Sequence, residues 1–168
     1  SSEVYGEPFE SPQNELTTPL NSRLPYAIVK NVCESYIKTY NKEYGLNYTI
    51  LRLFNTYGPS QSEDFVITKF LKAAIKNKNL NIYGDGKQTR SFMYIDDNIN
   101  FTKKLFYKNQ LINDTINLGN NEEITILNLA KLIIKITKSK SKIVFKNKLI
   151  EGDMNNRKPD ISKMKKYY

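Results

Sequence analysis

Tyr48-Thr49-Ile50-Leu51-Arg52-Leu53-Phe54, closed at once by Asn55-Thr56-Tyr57-Gly58-Pro59, is the stretch that decides the fold. A short apolar, β-branched run ended by a Gly-Pro breaker predicts a buried strand. Just upstream, residues 24–44 bring Ile28, Val32, Tyr36, Ile37 and Tyr40 close to one face at helical spacing, and Gly45 supplies the stop. The alternation continues downstream. Residues 63–78 predict a helix, 80–83 a strand closed by the turn Gly84-Asp85-Gly86, and 115–118 another strand ended by Gly119-Asn120-Asn121. Asp96 and Asp97 open a third helix, with carboxylates that cap its positive end, and Thr125 caps a fourth that runs to about Thr137. Strands alternating with helices predict an α/β class. Residues 1–6 read as a strand end entering a loop and residues 7–22 as a surface loop. Lys165-Lys166-Tyr167-Tyr168 lie in what reads as another short helix.

The chain's 168 residues suffice for one domain with a real core. No apolar run reaches the eighteen or more residues of a membrane span, and no signal peptide is visible. Cys33 is the single cysteine, which excludes an internal disulfide and a cysteine zinc cluster. Histidine is absent, so acid–base chemistry falls to Tyr, Lys, Glu, Asp or Arg, and no metal site is expected. The formal charge of +9 reflects a bias toward Lys, Asn and Ile. Lys69, Lys72, Lys76 and Lys78 are scattered along a helix, and the dense basic run 138–148 reads as a solvated face. No basic stripe interleaved with stacking aromatics is present, so no nucleic-acid partner is expected.

Tyr26 and Lys30 stand four residues apart on the first predicted helix, which stacks them on one face roughly 6 Å apart along the axis. A free Tyr has a pKa of about 10, so only about one in a thousand is ionised at neutral pH. An ammonium group beside it favours the phenolate, and a hydroxyl opposite, such as Ser1, hydrogen-bonds the phenol or a substrate alcohol. The three make a general base that takes the proton off an alcohol while hydride leaves its carbon. Tyr-x-x-x-Lys alone is a weak motif in a chain with 12 Tyr. Other residues read as structural. Arg52 predicts a structural pair, and Tyr5, Tyr57 and Tyr83 predict packing residues with polar tips.

With Ser1-Ser2-Glu3-Val4-Tyr5-Gly6, Arg52-Leu53-Phe54-Asn55-Thr56-Tyr57-Gly58-Pro59 and Tyr83-Gly84-Asp85-Gly86-Lys87-Gln88-Thr89-Arg90-Ser91-Phe92, the order of motifs resembles one family. It is similar to the NAD-dependent sugar-nucleotide epimerases/dehydratases, the extended short-chain dehydrogenases. Asn117-Leu118-Gly119 and Arg157-Lys158-Pro159-Asp160 continue the resemblance over nearly the whole chain. It implies the later part of a Rossmann-type doubly wound parallel sheet with a smaller α/β substrate-binding domain. Residues 1–56 would close the NAD-binding domain. Residues 57–168 would form mainly the sugar-nucleotide domain, with segments returning to the first. The resemblance further implies that Tyr26 is the base, that Lys30 holds the nicotinamide ribose, and that Ser1 bonds the reacting hydroxyl. Asn55 would touch substrate near its diphosphate, Arg90 would bind that diphosphate or act in the chemistry, and Arg157 would assist at the nucleotide end. A planar fork of donors suits phosphate oxygens, which supports the arginines independently. The cofactor implied is NAD, the substrate a UDP-, dTDP- or GDP-linked sugar, and the enzyme a cytoplasmic homodimer without membrane attachment.

The family oxidises a sugar hydroxyl to a ketone and then diverges into epimerisation, elimination or decarboxylation. Dehydratases of the family usually place Asp-Glu where this chain has Ser2-Glu3, which weakens the 4,6-dehydratase branch. Ser-Glu there, with Arg90 in Gln-Thr-Arg, is similar to the UDP-glucuronate decarboxylases, in which Glu3 would position the sugar. Arg23-Leu24-Pro25 before Tyr26 departs from them, so the branch stays open. The family's Gly-x-x-Gly-x-x-Gly turn occurs nowhere in these residues. The expectation is a chain that enters its domain part-way and is cut at its C-terminus as well. DNA upstream of the Ser1 codon is therefore expected to encode a strand and that glycine turn about a hundred residues earlier. A different upstream sequence removes the cofactor assignment.

Overall fold

Thr49–Leu53 forms strand β1 where the apolar run predicts it, and it pairs in parallel with β6, Asp114–Leu118, from Thr49 opposite Asp114 to Leu53 opposite Leu118. The computed structural model describes residues 1–7, 9–147 and 157–167. Helix α1, Pro25–Tyr44, leads into β1 and stops at Gly45, whose φ of 67° suits a residue without a Cβ. After β1 follow β2 (Thr56–Tyr57), α2 (Val66–Ile75), β3 (Leu80–Tyr83), β4 (Thr89–Ser91), β5 (Met93–Tyr94) and α3 (Ile95–Tyr107). Beyond β6 come β7 (Glu123–Thr125), α4 (Ile126–Thr137), β8 (Ile143–Lys146) and α5 (Ser162–Lys165). Among the described residues β2 pairs with β5 and β3 with β8, both in parallel, and β4 pairs with β7 antiparallel. Parallel pairs crossed over by helices make this the α/β fold that the alternation predicts.

Among the described residues two larger apolar cores, beside the small one of Val4, Tyr5 and Phe54, follow from this order. Phe70 and Ala74 of α2, Leu80 and Ile82 of β3, and Leu129, Ala130 and Ile133 of α4 form one. Phe101 and Leu105 of α3, Ile116 and Leu118 of β6, Met93 and Met164 form the other. Thr125 caps α4 as its sequence predicts, its hydroxyl accepting from Asn128 N at 3.1 Å.

A charged chain runs between the helix α1 layer and the sheet. Arg52 on β1 donates from Nε and Nη2 to both carboxylate oxygens of Glu34 on α1, at 3.0 and 2.8 Å. Its Nη1 donates to the Tyr5 hydroxyl at 2.8 Å, and that hydroxyl donates to Asn117 Oδ1 at 2.7 Å. Arg52, Glu34, Tyr5 and Asn117 are all buried. Removing two charges from water is costly, and this fork-to-fork geometry with a satisfied third nitrogen is what offsets the cost. Burial acts to lower the Arg52 pKa, but the Glu34 and Tyr5 bonds and charges outweigh it and raise it. Burial also pushes the Tyr5 phenol up, more than Arg52 pulls it down.

The structure corrects several sequence expectations. Residues 1–6 are no strand end: Ser2–Tyr5 is a 3-10 turn, capped by the Ser1 hydroxyl accepting from Glu3 N at 3.3 Å and closed by Gly6 at φ 57°. The apolar stripe of α1 faces outward. Ile28, Val32, Tyr36, Ile37 and Tyr40 are exposed, whereas Ala27 and Glu34 are buried, Glu34 on the Arg52 fork. The second helix is shorter than residues 63–78. Asp96 and Asp97 lie in the first turn of α3, where the dipole favours them, but Tyr94 holds the cap position without a side-chain bond. The basic run 138–148 holds β8, aligned by Leu80 N donating to Lys142 O and Gly84 N to Lys146 O. Residues 148 and 168, which those readings included, lie outside the described residues.

Breaking the ion pair by Glu34→Ala leaves Arg52 buried without its carboxylate, and a loss of about 3–5 kcal/mol is expected in urea unfolding. Because the folded protein holds the Tyr5 proton more tightly than the unfolded chain, stability contributed there falls as pH rises above the ordinary Tyr value of about 10. Alkaline denaturation of wild type against Tyr5→Phe measures that slope, which the variant is expected to flatten.

Candidate active site

The residues singled out from sequence assemble as three pairs. Tyr26 and Lys30 lie in the first two turns of α1, and Lys30 Nζ stands 5.5 Å from the centroid of the Tyr26 ring. Both are exposed, Tyr26 at 56%, and Glu34, four residues beyond Lys30 on the same row, is buried against Arg52. Glu3 and Arg157 meet across 154 residues of sequence, with Arg157 Nη1 donating to Glu3 Oε1 at 2.6 Å. Asn55 and Arg90 share the third place, a cleft of about 400 Å³ also lined by Gln88, Tyr83, Phe92 and Lys69.

Each is held by its own element. The Ser1 hydroxyl accepts from Glu3 N at the cap of the 3-10 turn and keeps its own O–H to donate. Asn55 stands two residues past β1; its carbonyl accepts from Met93 N at 2.9 Å and its amide donates to Ser91 O at 3.2 Å. Arg90 sits on β4 opposite Ile124 of β7, with Nη1 donating to Thr89 O at 2.7 Å. Phe54, one residue before Asn55, packs with Val4 and Tyr5, so the 3-10 turn and the start of the cleft share one small core. Tyr57 packs against Phe92 and Tyr94, and Tyr83 is half-exposed on the cleft.

Sequence reading missed the residues that clamp the site. The loop 7–22 is no mere surface loop, for Gln13 in it is buried. Gln13 N donates to Lys158 O at 2.8 Å, Asp160 N donates to Gln13 O at 2.7 Å, and the Asn117 amide donates to Gln13 O at 2.9 Å. Asn14 Nδ2 adds a bond to Asp160 Oδ2 at 2.7 Å. A hydrogen bond from Ser162 N, with others from Ser162 and Asn14, holds the Asp160 carboxyl below its usual range despite partial burial. Glu15 accepts from Asn117 N at 2.6 Å. Polar residues in a Pro- and Asn-rich stretch carry no periodic signal, which is why this clamp was invisible. Among the described residues no group of three or more His, Cys, Asp or Glu is placed to hold a metal ion, and no helix is long and apolar enough to cross a membrane.

Residues 1–119 match the NAD dependent epimerase/dehydratase family. The chain belongs to that family. UDP-glucuronic acid decarboxylase 1 of Danio rerio is 37% identical over 98% of this chain and 40% of its own length. A UDP-N-acetylglucosamine 4-epimerase from Methanobrevibacter ruminantium, solved with UDP-N-acetylmuramic acid, superimposes with a TM-score of 0.91 at 32% identity, over 99% of this chain and 54% of that one. A UDP-glucuronic acid 4-epimerase from Bacillus cereus, solved with UDP-glucuronic acid and NAD, gives 0.89 at 33% identity over 99% and 52%. The chain thus spans roughly two fifths to half of the length of the relatives it matches. The α/β architecture is that of these Rossmann-type enzymes.

Gly119 ends β6 where a Cβ would lie 2.8 Å from Phe54 Cβ and 3.0 Å from Pro159 Cγ. Gly119→Ala is therefore expected to force apart β1 and the 157–160 segment and to cost about 1–3 kcal/mol in urea unfolding. An unchanged midpoint would show that the neighbours yield freely.

Proposed function

We propose that this chain carries the catalytic and sugar-nucleotide-binding part of an NAD-dependent epimerase/dehydratase acting on a UDP-linked sugar. The observation that carries the reading is the exposed Tyr26–Lys30 pair on α1, with the ammonium 5.5 Å from the centroid of the phenol ring, in a family member. Tyr26 takes the proton from a sugar hydroxyl as general base, with the Lys30 ammonium beside its ring. NAD, when bound, supplies the hydride acceptor. A phenol and an ammonium on an exposed face are the right donors for ribose hydroxyls, so Lys30 is the residue that would hold the nicotinamide end. Ser1 would bond the reacting hydroxyl, and Glu3 would position the sugar ring. Arg90 and Asn55 would take the diphosphate in their cleft and Arg157 the nucleotide end, where a planar fork matches phosphate oxygens.

Residues 1–56 serve in this reading as the closing part of the dinucleotide domain, and residues 57–168 mainly as the sugar-nucleotide domain. A homodimer is part of this reading, with Ile28, Val32, Tyr36, Ile37 and Tyr40 of α1 exposed. A cytoplasmic enzyme with neither nucleic-acid nor membrane partners completes the proposal.

Decarboxylation of UDP-glucuronate is the second reading. Ser2-Glu3 and Arg90 favour it, as does the named activity of the Danio rerio relative. Incubating the enzyme that carries this chain with UDP-glucuronate separates the outcomes: carbon dioxide release supports decarboxylation, and a 4-epimer without gas supports epimerisation. Tyr26→Phe in that enzyme is expected to lower turnover about 10²–10⁴-fold. Full activity in Tyr26→Phe would overturn the assignment of the base.

A further inference from the structure

Of the lysines on and just beyond α2, Lys69 alone lines the cleft. Lys72 is paired with Glu63, and Lys76 and Lys78 stand exposed at and past the C-terminal end of the helix. Val66, Lys69 and Phe70, three and four residues apart, share the helix face that lines the cleft. Phe70 is buried in the core of α2, β3 and α4, which anchors that face. Lys69 itself is exposed, and among the described residues its ammonium meets no carboxylate. The charged residues among those lining the cleft are Asp64, Lys69 and Arg90. Asp64 offsets one of the two cations, so this lining keeps a net positive charge only through Lys69.

We propose that Lys69 is a second cation for the diphosphate, meeting it from α2 while Arg90 meets it from β4, and that it sets a preference for a nucleoside diphosphate over a monophosphate. The inference rests on the nucleotide-sugar reading above and uses the same cleft. A planar guanidinium matches two oxygens of one phosphate group. The second phosphate brings further charge, and an ammonium on a flexible stem serves it as a point charge. Because Lys69 is exposed, its attraction is moderate and is screened by salt. Lys72, held by Glu63 and absent from the lining, has no such part.

Calorimetric titration of the enzyme that carries this chain with UDP and with UMP tests this without any turnover. Lys69→Gln is expected to weaken UDP binding about fivefold, the scale of one exposed charge contact, and to change UMP binding little. Raising the salt concentration is expected to narrow the gap between wild type and Lys69→Gln. Lys69→Arg, which keeps the charge, is expected to bind UDP within about twofold of wild type, and Lys72→Gln to bind it as wild type does. Undiminished UDP affinity in Lys69→Gln overturns the proposal, as does an equal loss in Lys69→Arg. A loss seen with UDP-glucuronate but not with UDP also overturns it, because it gives the lysine to the sugar carboxylate. Failure of wild type to bind UDP overturns the nucleotide-sugar reading itself, and this inference with it.

Discussion

The bidentate bond from Arg52 to Glu34 is the constraint on which the rest of the architecture depends. It ties α1 to β1 through Glu34, which continues the helical row that begins with Tyr26 and Lys30. An amphipathic helix normally orients by burying its apolar stripe. Here Glu34 is buried and the apolar stripe is exposed. The same guanidinium reaches Tyr5 and, through it, Asn117 on β6, so one arginine ties the 3-10 turn, the helix and two strands into a fixed relation.

That relation explains why the site can be assembled from distant pieces of chain. Tyr5 anchors the turn that bears Glu3, and Asn117 anchors the loop whose Gln13 holds residues 158–160. Arg157 and Glu3 therefore meet because each stands next to an element fastened to the same buried network. The Asn55–Arg90 cleft is connected to it through Phe54, which packs on Val4 and Tyr5. Rigid anchoring of this kind suits chemistry in which a small displacement of an acid or base is costly.

Much of this was legible in the sequence, for physical reasons that differ by element. The β1 run, Thr125 and the glycine stops declared themselves because short apolar runs, caps and positive φ have local signatures. Tyr26 and Lys30 were legible because helical spacing alone puts them together. Arg52 was read as a structural pair, yet its partner Glu34 was not, since nothing local distinguishes it from any polar helix residue. The orientation of α1 was misjudged for the same reason: periodicity identifies a stripe but not what lies opposite it. Strand β8 was hidden by lysines on a short edge-like segment, and the Gln13 clamp by a loop composition that usually means exposure.

The clamp joining Gln13 and Asn14 to residues 158–160 has a bearing on how the molecule forms in time. Its bonds close a loop of 146 residues between Asn14 and Asp160. Contacts this distant in sequence must wait for a large entropic cost to be met, which places them late on a folding path. The α2–β3–α4 core can gather from near neighbours first, whereas the Glu3–Arg157 pair, 154 residues apart, forms after it. A molecule on that path accordingly passes through a stage with that core in place and the two ends of the pair still apart.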